Sequence, residues 1–465
     1  MSAASCAGEA GQSQGQPRGL THAFAAFVRS AAFERMPAAV HAEAQRAIAD
    51  CLGGALAGAR EPVAIRAAAL SDAAGPCTLW ARPRRASARD AALINGCAAH
   101  AHAIDDTNES MRGHPSAPIV PAVLALGEEI DATGDALVEA YVVGVEVAAK
   151  LGLAVNDRHS QLGWHTTCTL GAVGAAASCA KLLGLDEMRT VHALGIAASM
   201  AGGLRVNFGS MTKPLHAGLA AHNGVLAARL AEAGVTASAQ ALEGHEGFLA
   251  LFCGDDARPD RALAALGQPF ELDFPGIVYK QYPTCSLMHA LVDMAIEARA
   301  HRLPELLGVS RIRCGISTRL IAARRTAWPT SGMEAKFHVE YCVAVALLCG
   351  TQGLSDFVDG ALERPDVRAL AQRIEVAPGI DFPAGNGDFA ELHIEVEGQT
   401  VFRDRRAKPR GHPSQPLSDA EHRDKFMACA SLAMDSAAAA ELHSALRGTP
   451  FPDARTLGRL LAAAH

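Results

Sequence analysis

The chain has 465 residues, 49% hydrophobic, 5% aromatic and 20% charged, which is globular material sufficient for one large core or two smaller ones. Its 42 Lys plus Arg stand against 49 Asp plus Glu for a formal net charge of -7, and the absence of a long basic stripe excludes nucleic acid as a partner class. Apolar stretches such as 136–145 are interrupted by Glu139 and closed by Glu146, short of the roughly 20 residues a membrane span needs, so a cytoplasmic protein without membrane contact is expected.

In chain order, residues 1–20 are rich in Gly, Gln and Ser and lack both a basic and an apolar targeting segment, which predicts a disordered tail. From 21 to 275 apolar residues recur at three and four positions, predicting helices over Asp135–Leu151, Leu170–Leu183 and Leu215–Ala231. Small residues dominate these helices, so their axes can approach closely and bury one another. After Pro275 the period changes. Ile312, Cys314 and Ile316 alternate with arginines, Ala390, Leu392, Ile394 and Val396 alternate with polar residues, and Glu397-Gly398 marks a hairpin turn. Helices around 283–300 and 337–348 are expected to cover that sheet, giving a smaller α+β lid domain over 276–411. Residues 412–465 return to helical patterning and are assigned to the large helical domain with 21–275, so the fold class is mainly α with a smaller α+β part. The twelve cysteines are irregularly spaced with no CxxC pair and read as reduced and mostly buried.

Chemistry-bearing residues gather in four stretches. His100, His102, Asp105, Asp106 and Thr107 are followed by His114-Pro115-Ser116; paired carboxylates beside imidazoles can tune proton affinity, and Pro115 places His114 in a turn. The alternative is that Asp105, Asp106 and Thr107 only cap helices. Gly163-Trp164-His165-Thr166-Thr167 precedes a small-residue helix whose N-terminus can meet an anion, or is an ordinary cap beside a buried histidine. Gly202-Gly203-Leu204-Arg205 and Gly209-Ser210-Met211-Thr212-Lys213-Pro214-Leu215-His216 carry two cations toward the next helix, with Lys213 the best single carboxylate clamp. Neither P-loop nor dinucleotide-binding spacing occurs, so no nucleotide cofactor is indicated. Tyr279-Lys280-Gln281-Tyr282-Pro283-Thr284-Cys285 lies at the expected domain junction, as a second cation over a cleft or as a plain hinge. No HExxH or zinc-finger spacing appears, and no catalytic metal is expected.

Together, His114-Pro115-Ser116, Gly163-Trp164-His165-Thr166, Met211 to Gly218, Leu242-Glu243-Gly244, Lys280 to Cys285 and Glu334-Ala335-Lys336-Phe337 resemble, in order, the MmgE/PrpD family. The resemblance implies a large helical domain with an α+β lid, a homodimer, no cofactor, and a small polycarboxylate substrate. It places Asp106, Thr107, His114, His165, Lys213, Lys280 and Cys285 in the pocket, and Arg205 and His216 are added as substrate-binding candidates. Family reactions are 2-methylcitrate dehydration, cis-aconitate decarboxylation and iminodisuccinate epimerisation. Dehydratase- and decarboxylase-like members usually carry Asp where this chain has Ala103, and decarboxylases tend to carry His in place of Cys285. These departures rank epimerisation first, with His114 and His165 working on opposite faces and Lys213 stabilising the carbanion. A hydro-lyase is the alternative, a decarboxylase third, and a ligand-binding protein on the same fold the non-enzyme reading.

Overall fold

The computed structural model describes residues 19–71, 74–306, 308–380 and 389–462, so the expected N-terminal tail falls almost wholly outside the described residues. The fold is predominantly helical with a small mixed sheet. Helices occupy Gly134–Gln161, Thr166–Leu182 and Thr212–Glu232, each longer than or shifted from its periodic apolar stretch. Thr133 caps the first of them by accepting from Ala136 N, whereas the other two begin without a side-chain cap. No helix among the described residues is long and apolar enough to cross a membrane.

One hydrophobic core runs from Leu20 through Val142, Val173 and Ala227 to Leu461, and takes in Leu417, Phe426 and Leu442 from the chain's last helices. A second core joins Met288, Ile312, Tyr341, Val345, Leu392 and Ile394. It is built on a four-stranded sheet in which Val309–Ile316 pairs antiparallel with Ala390–Val396 and parallel with Ile374–Ala377. Gln399–Arg406 completes it through a two-residue turn with Glu397 at φ 50° and Gly398 at φ 80°, the backbone a tight hairpin needs. Helices His289–Leu306 and Val339–Cys349 supply much of the second core's apolar surface.

The two parts of the chain meet through a short ladder of Thr107 and Asn108 against Val278 and Ile277. A buried polar knot anchors it. Asn108 donates to Glu271 Oε2 (3.1 Å), Lys150 Nζ donates to Glu271 Oε1 (2.8 Å), and Glu146 accepts from Gly267 N and Glu271 N. Each carboxylate there has donors that offset its loss of water. All cysteines among the described residues are free thiols, buried except Cys285 and Cys349.

Candidate active site

The site begins with the packing of two helices. A Cβ on Gly96 would lie 2.8 Å from Gly218 Cα, and one on Gly218 only 2.3 Å from Leu93 O, so glycine at both positions permits the close approach of Ala88–Ala101 to Thr212–Glu232. That approach sets the last turn of the first helix beside the first turn of the second. His100 Nε2 and Lys213 Nζ are consequently 2.8 Å apart, both buried.

Beyond His100 the chain leaves the helix through Ala103, at φ 56°, and turns Asp105 back beneath the imidazole. Asp105 Oδ2 is 2.8 Å from His100 Nδ1 and 2.9 Å from His114 Nδ1, and Asp105 Oδ1 is buried with no hydrogen-bond partner among the described residues. His114 Nδ1 also lies 2.8 Å from Asp106 O, a carbonyl that can only accept. That contact fixes the proton on Nδ1 and leaves Nε2 with its lone pair.

His165 ends an extended pair in which His165 N donates to Gly203 O and Arg205 N to Gly163 O. Its ring stacks 5.7 Å from that of His100, and its Nδ1 is 3.0 Å from His216 Nδ1. The helix after it starts at Thr166, and its hydroxyls are already engaged: Thr166 donates to Arg112 O (2.7 Å) and Thr167 accepts from His114 N (3.2 Å). Of the two alternatives the sequence offered, an anion at this helix start or an ordinary cap beside a buried histidine, the second describes buried His165 at the N-cap position, while the two hydroxyls hold the His114 loop.

Two further lysines arrive from the C-terminal half. Lys280 Nζ donates to Ala103 O and Lys336 Nζ to His102 O, each at 2.9 Å, so adjacent carbonyls of one turn receive separate buried ammonium groups. Half-buried Cys285 joins the same segment through its N–H to Lys336 O (3.1 Å).

Electrostatics follow from burial. Loss of water, with repulsion from Lys280 and Lys336, lowers Lys213 to about 7 against the pull of Asp105. Lys336 falls to about 8 and Lys280 is also lowered, both chiefly by burial. His114 is lowered to about 4 by burial, with Lys280 and Lys213 adding to the effect. Burial raises the Asp105 carboxyl, but His100 and His114 outweigh that and hold it well below its ordinary value. Asp106 is pushed up to about 8 by burial, near Asp50 and Asp105.

Asp106 therefore does not belong among the anion-binding groups. Its carboxyl accepts from the Ser116 hydroxyl and from Ser116 N (3.3 Å), and that hydroxyl is 2.7 Å from Tyr141 OH, inside the core. Arg205 is also turned aside, its guanidinium on Ser160 O (2.8 Å) and Oγ (3.1 Å). Thr107 sits in the two-residue ladder. Of the residues named from sequence, His114, His165, Lys213, His216, Lys280 and Cys285 are brought to one region around His100.

Ligand atoms of His100, Asp105 and His114 lie within 4.8 Å of one another, a set that can seat a metal ion. Each imidazole would have to surrender the Nδ1 hydrogen bond it gives Asp105, and three buried lysines nearby oppose a further cation. Anions suit this cluster better.

The sequence matches the MmgE/PrpD N-terminal domain over residues 22–260 and the MmgE/PrpD C-terminal domain over residues 282–447. The chain belongs to the MmgE/PrpD family. Human cis-aconitate decarboxylase is 29% identical over 429 residues, covering 89% of this chain and 88% of that protein. Cis-aconitate decarboxylase of Aspergillus terreus is 30% identical over 409 residues, 82% of each chain, and a cis-aconitate decarboxylase-like protein of Aspergillus oryzae is 27% identical over 432 residues, covering 86% and 88%.

Within this MmgE/PrpD chain, sequence reasoning left His100, Asp105 and Lys336 out of the site. His100 and Asp105 stood in the densest polar stretch, but nothing in their spacing tells which of two adjacent aspartates turns inward. Lys336 stood in one of the motifs that carry the family resemblance, Glu334-Ala335-Lys336-Phe337, but was not assigned to the pocket.

Proposed function

We propose that this protein is a lyase-type enzyme that forms a carbanion next to a carboxylate in a small polycarboxylate, with each chemical role filled by a side chain. The observation that carries the reading is the convergence of buried Lys213, Lys280 and Lys336 on the Asp105–His100–His114 cluster. A dianionic enolate is costly in water and far less so against fixed cations in a dry cleft.

Acid and base can coexist here at neutral pH. His114, at about 4, is unprotonated and offers Nε2; Lys213, at about 7, retains a proton on a substantial fraction of molecules. In a dehydration, His114 removes the α-proton and a lysine ammonium protonates the departing hydroxyl. In a decarboxylation, carbon dioxide leaves first and the same ammonium returns a proton to the carbanion. Asp105 and His100 position Lys213, since His100, with its proton on Nδ1 toward Asp105, presents Nε2 to the lysine.

The names of the relatives move the weight from epimerisation, ranked first on the sequence, to bond-breaking chemistry, and support a cis-aconitate-like tricarboxylate as the substrate class. Epimerisation keeps one specific observation in its favour: at positions 103 and 285 the side chains are alanine and cysteine, so neither supplies a further strong acid or base.

Lys213→Met tests the reading. Loss of the cation is expected to lower kcat and kcat/KM together, by roughly 10²–10³-fold. A folded Lys213→Met enzyme with full kcat and only a raised KM removes Lys213 from the transition state.

A further inference from the structure

The segment between His165 and Lys213 carries a large apolar residue that the chemistry above leaves unused. Arg205–Asn207 make one tight turn, and Phe208 follows it in extended conformation. Leu204 and Val206 point outward, 50% and 80% exposed, whereas Phe208 is half-buried with its ring toward the site.

Four groups surround that ring. The His165 imidazole meets it nearly at right angles at 4.9 Å, the Phe337 ring lies 5.7 Å away, and Arg205 Cζ and Lys213 Nζ each stand 5.7 Å from its centroid. Phe337 follows Lys336 in the chain and is buried, so the two phenyl rings join the N-terminal helical part to the C-terminal half beside the lysines of the site. One residue grips both. The Arg325 guanidinium donates to Phe208 O, and Arg325 N donates to Phe337 O (2.9 Å). Gly209, at φ 92°, then turns the chain past that guanidinium, which a Cβ would approach to 3.4 Å, and into the helix that starts at Thr212.

The geometry points to Phe208 as a positioning residue that acts through Lys213: with Phe337 it closes the seam between the two parts over the ammonium and keeps water from it. Its bearing on catalysis rests on Lys213 being the cation of the proposed reaction. An aromatic face attracts a cation within about 6 Å, while exclusion of water disfavours one. The second effect is the larger here, since burial heads the causes that bring Lys213 from 10.5 to about 7. The titratable groups around Lys213 are His100, Asp105, Lys280, Lys336 and Cys285, with His165 and His216 beyond them. Removing the Phe208 ring deletes none of these charges and takes away only the cover.

The test is competitive acetylation of the full chain with acetic anhydride across a pH series, the titration of Lys213 being read by peptide mass spectrometry. Phe208→Ala is expected to raise the Lys213 midpoint by roughly one pH unit or more. Phe208→Leu, which keeps apolar cover without the aromatic face, is expected to stay near the wild-type midpoint. Phe337→Ala opens the same seam from the other side and should raise the midpoint as well. Lys150, buried against Glu271 in the polar knot, is labelled in the same digest, and its unchanged reactivity distinguishes local opening from unfolding. With Lys150 unchanged, a Lys213 midpoint that stays put or falls in Phe208→Ala overturns the inference, as does an equal rise in Phe208→Leu. The labelling needs no substrate, so a chain without turnover would sink the proposed activity and leave the seal standing, while an unmoved Lys213 in an active enzyme would remove the seal alone.

Discussion

Asp105 and Asp106 are neighbours with opposite fates. One carboxylate meets two imidazoles, and the other enters the core beneath Ser116. The ordinary value for Asp106 is 3.8 and burial takes it to about 8. Because the folded value is the higher one, its contribution to stability is fully present below the ordinary value and is lost as pH rises through about 8. Asp106→Asn imitates the protonated acid and should leave the melting temperature at pH 8 unchanged or higher, whereas Asp106→Ala should cost about 1–3 kcal/mol in denaturant unfolding. A large loss in the Asn variant would show that a charged Asp106 is needed. The sequence revealed that this stretch was rich in chemistry; it did not reveal the parity of the turn after Ala103, which depends on a left-handed residue.

The remaining titrating groups predict a pH profile. His114 must be unprotonated to act as a base, so kcat/KM for a proton-abstracting reaction should fall as pH drops through about 4. Lys213 must be protonated, so kcat/KM should also fall as pH rises through about 7. Bound carboxylates favour the ammonium, which should carry the alkaline limb of kcat to higher pH than that of kcat/KM. An alkaline limb unmoved by Lys213→Met would assign it to another group.

At the scale of elements, the Gly96–Gly218 approach sets the distance between His100 and Lys213. Gly218→Ala places a methyl against Leu93 O and Cys97 Sγ and should destabilise by about 1–3 kcal/mol, with activity falling further than the loss of folded protein explains. Unchanged activity in this variant would mean that the helix spacing does not govern the site. Strands at 309–316 and 390–396 were legible because apolar and polar residues alternate along them, even though the polar Glu391 and His393 are themselves buried, and Glu397-Gly398 gave the turn into 399–406. Ile374–Ala377 was not: four residues pairing in parallel leave too short a pattern. The two-residue ladder that draws 277–280 toward 107–108 has no local signature, since its partners lie far apart in the chain.

For the whole molecule, net charge and site charge have opposite signs. The chain is acidic at -7, yet three buried lysines gather around one turn, where low local polarity strengthens their pull on an anion. Histidines and Asp105 come from the N-terminal helical part, Lys280 and Lys336 from the C-terminal half, so the constellation exists only when both are in place. Family membership was legible in the ordered motifs, and the preferred reaction was not, because dehydration, decarboxylation and epimerisation share a carbanion and differ in what leaves it.

Proton NMR in D₂O, with cis-aconitate, 2-methylcitrate and iminodisuccinate offered separately, tests the central claim most directly. The account predicts a new alkene signal from cis-aconitate or 2-methylcitrate, accompanied by carbon dioxide release or loss of the substrate hydroxyl, and abolished in Lys213→Met. Deuterium exchange and stereoisomer interconversion of iminodisuccinate, with the other two acids untouched, would contradict it in favour of the epimerase.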